Sequence, residues 1–378
     1  MSWLPRSVVF VAVCALAVVA AVPGIALAQR TPAQSSDIPR SLGISGELLG
    51  VAATSPGSAW AVGYSGDIAT RTLLLHWNGR KWSRVTSPAP VFGQLSAVTA
   101  VSADNVWAVG TTANAAGTAF RTLILHWNGR AWAKPVGAPQ VSGLLNGISV
   151  AGSTVWAVGE KSPAGGSLIL RQAAGRWSAV PAPAAGDILT AAASTSAGLG
   201  WAIGDGGGDV NTAALLRRSG NAWRTVSFPL HGVDNGLWGM TSAPGGVVWA
   251  VGYHFSQDPG SNARKALSMR WSGTAWQKVP VPAPAGSELF AVAHVPGARA
   301  WAVGFVWPAE ADASTLILRW NGAAWSRVPS PDPQPTDRLF AVTATSPRDA
   351  WAVGYGAPAD PAAAPVPLIL HWNGTTWS

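Results

Sequence analysis

Two tryptophans, Trp238 and Trp307, stand outside the regular tryptophan pattern of this chain, and both have carboxylates and further aromatics close by. Between residues 231 and 312 they are joined by His231, Asp234, Tyr253, His254, Phe255, Asp258, Glu310 and Asp312. Aromatic faces beside carboxylates suit a sugar, whose C–H patches stack on rings while its hydroxyls donate to the carboxylates. They equally suit a cationic ligand, because the ring quadrupole attracts positive charge. A packing reading competes with both: Trp238 filling a gap between elements and Trp307 pinning its own loop. His231 with Asp234 or Asp258 also has the composition of an acid–base pair.

Other constellations carry less. His76, His126 and His371 recur at one position of a repeat, on separate units too distant to share a metal. The segment from Asp205 through Asp209 to Asn211 offers oxygen ligands of the kind calcium takes, but its spacing departs from the EF-hand rule. No serine nucleophile elbow, HExxH pair or phosphate loop occurs. Neither a cofactor nor a metal is expected.

Composition narrows the class. Of 378 residues, 48% are hydrophobic and only 11% charged, against the roughly 25% usual for soluble domains. A disordered chain needs the opposite balance. The formal charge is +8, yet no basic run exceeds two residues, so no nucleic-acid partner is expected. Residues 1–28 read as a secretory signal peptide: Arg6, then an apolar stretch from Val8 to Val22, then Ala26, Leu27 and Ala28 as a small-x-small cleavage pattern. The apolar run is short for a span, so no stable membrane insertion is expected after cleavage. The single cysteine, Cys14, lies in this leader, which leaves the mature chain without thiol chemistry or disulfides. Residues 29–35 read as a linker.

The elements that position the aromatics are repeats. WAVG begins at Trp60, Trp107, Trp156, Trp249, Trp301 and Trp351, and WAIG at Trp201, at intervals of 45–52 residues. Behind each comes a block such as LLLHWNGRKW from Leu73 or LILRWNGAAW from Leu316, and ahead of each a block such as LSAVTA from Leu95. Each unit therefore predicts four short strands, a to d, with Asn-Gly pairs such as Asn78 and Gly79 closing a c–d hairpin. Alternation within WAVG puts Trp and Val on one face and Ala and Gly on the other, a bulky side and a flat one. Stacked radially, seven such sheets predict an all-β, seven-bladed β-propeller of four-stranded antiparallel blades over residues 36–378. A solenoid is the rival arrangement. The last copy stops at Ser378 as its strand d begins. Residues 36–41 align with the strand d of the first copy and are expected to supply the missing outer strand, unless they form only a loose linker.

The unit WAVG…LILHWNGxxW resembles the Kelch or galactose-oxidase-like propeller repeat and the tectonin repeat of lectin propellers, the latter in LNGISVAGSTVWAVG from Leu145. Repeats of this WAVG/HWNG type are familiar in secreted bacterial proteins. The chain departs from Kelch in having one glycine, not a pair, after strand b. The copper-radical chemistry of galactose oxidase does not carry over, since its Tyr–Cys crosslink has no counterpart here. The Asp-box of sialidases is also missing.

In such a propeller the b–c and d–a loops share one end, the top. Acidic residues gather there: Asp67, Glu160, Asp205, Asp209, Asp258, Glu310, Asp312 and Asp360 in b–c loops, and Asp187, Asp234, Glu288, Asp332 and Asp337 in d–a loops. Tyr64, Tyr253, Tyr355 and Phe305 all follow the strand-b glycine. Basic residues such as Arg80, Arg217, Arg218 and Arg319 fall on the c–d hairpins, where charge protects exposed edges. The chain is thus expected to be a secreted, monomeric, non-enzymatic module. It would bind a glycan or extracellular protein through Trp238, Trp307, His231, Asp234, Tyr253, His254, Asp258 and Glu310. An extracytoplasmic polysaccharide-acting enzyme and a purely structural envelope module are the alternatives.

Overall fold

The computed structural model describes residues 43–378 apart from 67–69, 90, 164, 184–187, 195–199, 207–212, 221, 228, 230–233, 256–262, 298, 309–311 and 361. The leader, the linker and residues 36–41 lie outside the described residues. Among those described, no helix is long and apolar enough to cross a membrane.

The first repeat forms one antiparallel sheet, β1 (Gly46–Ser55), β2 (Ser58–Ser65), β3 (Arg71–Trp77) and β4 (Trp82–Arg84), in sequential order. Five more repeats do the same. The last contributes three strands, and Trp377 and Ser378 start a fourth along its outer edge, bridging Trp372 and bonding His371 through both backbone groups. Asn-Gly turns close the hairpins as expected. The Asn78 side-chain oxygen accepts from the backbone N–H of Arg80 and Lys81, and Gly79 takes φ 86°.

Seven hydrophobic clusters lie between successive blades, and they decide between ring and open stack. The Trp60 and Val62 face of the first blade packs on Ala108, Leu123 and Leu125 of the second, bulk against flat as the alternation requires. The last cluster joins Trp351, Val353 and Ile369 to Leu48, Ala61, Leu73 and Trp82, closing the seventh blade onto the first. The chain is a closed seven-bladed β-propeller.

Tryptophan packing across each seam follows one scheme. The strand-b indole meets the strand-d indole of the adjoining blade edge to face, as in Trp60 with Trp132 (5.1 Å, 88°) and Trp82 with Trp351 (5.2 Å, 89°), the orientation ring quadrupoles favour. Its other face is covered by a cross-strand neighbour on strand c. Imidazoles do this for Trp60, Trp107 and Trp351, stacked at 4.0–4.3 Å. Arg171, Arg217, Arg270 and Arg319 do it for Trp156, Trp201, Trp249 and Trp301 at 5.4–5.7 Å. The repeated histidines and many of the hairpin arginines are therefore lids on buried indoles. Cation–π attraction, rather than edge charge alone, accounts for Arg217 and Arg319.

Candidate functional site

The site begins with a backbone irregularity. In every inner strand the register with strand b slips by one residue, at Leu48/Gly50 in β1 and at Leu237/Gly239 in the inner strand of blade 5 (Asn235–Ser242). A β-bulge leaves one residue unpaired and re-aims its side chain. The residues skipped at this first slip are Leu49, Ser96, Asn146, Thr190, Trp238, Phe290 and Phe340, one per blade. All seven line a single cavity of about 220 Å³ on the propeller axis. The residues two positions earlier lie directly across from the residue after the strand-b glycine, as Glu47 does from Tyr64 and Ile188 from Asp205. This places the post-glycine aromatics and acids at the same axial mouth, on the top end.

The ring is lopsided. Blades 5 to 7 supply Trp238, Phe290 and Phe340. Trp238 and Phe290 lie nearly parallel at 6.1 Å, and Phe340 meets Phe290 edge to face at 5.2 Å. A second tier backs them: Tyr253 beside Trp238, Phe305 beside Phe290, Tyr355 beside Phe340. Blades 2 to 4 supply Ser96, Asn146 and Thr190 instead. Glu47, Gln94 and Asp205 stand above them at the rim of the cavity.

Two arginines tie the aromatic tier together. Arg264 lies 4.5 Å from the Tyr253 ring and forms an ion pair with Glu288, which is almost fully buried. Arg338 lies 4.8 Å from both Phe305 and Trp307. Burial pushes the Glu47 carboxyl up to about 7, against the Tyr64 hydrogen bond and the nearby Arg338 charge, which pull it down. Burial raises Glu288 too, opposed by Arg264, and lifts Tyr253, reinforced by the charges of Asp205 and Asp234.

Glu160 and Asp337 are likewise held at about 7 by burial. These carboxyls retain protons that the unfolded chain, titrating near 4, gives up. Stability must then fall as pH rises through the folded value. The four histidines that burial holds neutral, His76, His126, His254 and His294, oppose this, because the unfolded chain sheds their protons around pH 6.5. Three carboxyls at about 7 outweigh the histidines and predict a net loss on the order of 1 kcal/mol between pH 6.5 and 8, read as a lower denaturant midpoint. A midpoint that rises over this interval contradicts the assignment.

The structure separates the residues singled out from sequence. Trp238 and Tyr253 are together at the mouth, and Asp234 is close enough to Tyr253 to raise its pKa. Trp307 is 47% exposed on the rim; its backbone N–H donates to the Gly286 carbonyl and its ring stacks on Arg338. His254 faces the outer strands, with Nδ1 at 2.9 Å from the Phe255 carbonyl oxygen and Nε2 at 3.0 Å from Lys278 Nζ. Asp312 accepts from the Thr336 hydroxyl. His231, Asp258 and Glu310 lie outside the described residues, as do Asp209 and Asn211 of the segment considered for calcium. Among the described residues no acid and histidine cluster has the makings of a metal site. Glu160, Asp205, Glu288 and Asp337 belong to strand ends rather than loops, because the strands run further toward the top than the repeat blocks implied. Sequence reasoning left out Glu47, Phe290, Phe340 and Arg338. Their signal was two positions of the repeat that vary where their neighbours recur, the one running from Leu49 to Phe340 and the one two residues ahead of it, from Glu47 to Arg338.

No protein-family model matches the chain, and no curated protein matches it. Solved structures do. YCF48 bound to a D1 peptide is 14% identical, over 83% of this chain and 92% of that one, with TM-score 0.54. Virginiamycin B lyase from Staphylococcus aureus is 15% identical, over 86% and 94%, at 0.55. The β-propeller domain of the Trilobed protease from Pyrococcus furiosus, which has an open velcro topology, is 7% identical over 88% and 95%, at 0.54. At such identities the likeness establishes the β-propeller fold alone.

Proposed function

We propose that this chain is a secreted, non-enzymatic propeller that binds a glycan or extracellular protein at the top end of its axial channel. The observation that carries the reading is the bulge ring: seven skipped residues converge on one cavity, aromatic on one side and hydrogen-bonding on the other. A rigid scaffold that converges variable side chains on one concavity is how binding sites are built. The leader-like residues 1–28 and the resemblance to secreted WAVG/HWNG repeats support export. The peptide in the YCF48 structure is compatible with a protein ligand on this fold. A binding role fits the carboxylates better than catalysis. Glu288 is committed to Arg264, and among the described residues no histidine lines the cavity to partner Glu47 or Asp205.

Peptide and glycan arrays probed with purified protein test this. Bound spots that vanish with Phe290→Leu or Phe340→Leu are expected. Turnover of a polysaccharide, abolished by Asp234→Ala, would replace binding by catalysis. Array signals indifferent to both channel substitutions, with envelope proteins copurifying, would leave only a structural role.

A further inference from the structure

Resting on the reading of the axial mouth as the binding site, we infer that the group it receives is a cation, the guanidinium or ammonium of a basic side chain on an extracellular protein. Three independent features of the cavity point the same way.

The first is charge. Among the described residues, the charged side chains lining the cavity are Glu47 and Asp205, both acidic. Asp205 stands beside the blade that carries Trp238, and Glu47 beside the blade that carries Phe340. The two carboxylates therefore flank the aromatic arc.

The second is the direction of the hydrogen bonds on the polar side. The Asn146 amide donates to the Leu189 carbonyl at 2.9 Å, and the Thr190 hydroxyl donates to the Leu237 carbonyl at 2.7 Å. The Thr190 hydroxyl proton and one of the two Asn146 amide hydrogens are spent on the backbone, which leaves lone pairs on both side-chain oxygens for a ligand. These oxygens can accept from a guanidinium or ammonium group, which is donor-only.

The third is the aromatic arc. The chain already lays guanidinium groups on the neighbouring rings, Arg264 on Tyr253 and Arg338 on Phe305. The channel side, formed by Trp238, Phe290 and Phe340, has the same quadrupolar face and no basic residue among the described lining. At about 220 Å³ the cavity is below the range typical of drug-sized ligands and takes one long side chain. The raised pKa of Glu47 adds a linked effect. An arriving cation favours the ionised carboxylate, so binding strengthens as pH rises through about 7. The Tyr64 hydroxyl and the Arg338 guanidinium face the same carboxyl and already favour its ionised form.

The test is calorimetric titration of the purified protein with Nα-acetyl-arginine amide, Nα-acetyl-lysine amide, the uncharged isostere Nα-acetyl-citrulline amide and methyl glycosides. One of the two cations is expected to bind at least about tenfold tighter than citrulline. Glu47→Gln and Asp205→Asn, each confirmed folded, should each remove most of that preference. Citrulline bound as tightly as arginine overturns the inference. So does a cation affinity unmoved by both acid substitutions. A glycoside bound in preference, and lost in Trp238→Ala, overturns the cation but keeps the mouth as the site. If no probe binds, both fall.

Discussion

A Gly252→Ala protein is expected to unfold at markedly lower temperature than the wild type, although glycine-to-alanine changes at compatible positions stabilise by about 0.4–1 kcal/mol. Gly252 pairs with Leu237 beside the bulge that aims Trp238 into the channel. A Cβ at Gly252 would lie 1.9 Å from the Gly236 carbonyl oxygen and 2.9 Å from the Leu237 Cα, both backbone atoms that no rotamer change can move. Relief requires the two strands to part or the bulge to be undone. The cost is on the order of 3 kcal/mol or more, at the upper end of overpacking effects. Thermal unfolding checks it, and an unchanged midpoint would show that the bulge does not hold the strands this close. The same contact recurs at Gly354, where a Cβ would fall 1.8 Å from the Arg338 carbonyl oxygen. The strand-b glycine is therefore demanded by its own sheet, to admit the bulge, as well as by the flat face that the neighbouring blade needs.

Trp351→Ala should be comparably damaging, for a different reason. Trp351 is 1% exposed in the cluster that seals blade 7 to blade 1, between Trp77 at 5.0 Å and Trp82 at 5.2 Å, under the His371 ring. Truncation leaves a cavity that rigid sheets on both sides cannot collapse, a cost of about 3–5 kcal/mol. It also strips the indole from His371, whose Nε2 lies 2.8 Å from Asp349 Oδ1. Trp238→Ala removes an equally large ring but one facing the channel, and should cost far less. Denaturant midpoints of the two variants separate these expectations; equal losses would mean that Trp238 is a core residue rather than a lining one.

These predictions mark where the sequence was legible. Seven WAVG-type blocks with alternating faces are a global pattern, so blade count, strand order and ring closure followed from spacing and parity. The bulge was not legible, because it is a one-residue slip that leaves the block LxAVxA looking like an uninterrupted strand. Its consequence was visible only as the column running from Leu49 to Phe340, in which Trp238 looked like a lone outlier. Trp238 is instead one member of an arc completed by Phe290 and Phe340. Trp307 and His254 belong to the same two blades, 5 and 6, as the residues grouped with Trp238; Trp307 covers Arg338 at the rim and His254 faces Lys278. Strand alternation turned His254 away from the axis while aiming Tyr253 toward it.

The central claim is that ligands enter the axial mouth rather than settle on the rim. Wild-type, Trp238→Ala and Trp307→Ala proteins, each confirmed folded, should be compared on one peptide and glycan array. The account predicts that the spots bound by wild type weaken by about tenfold or more in Trp238→Ala and persist in Trp307→Ala. Persistence in Trp238→Ala with loss in Trp307→Ala would contradict it.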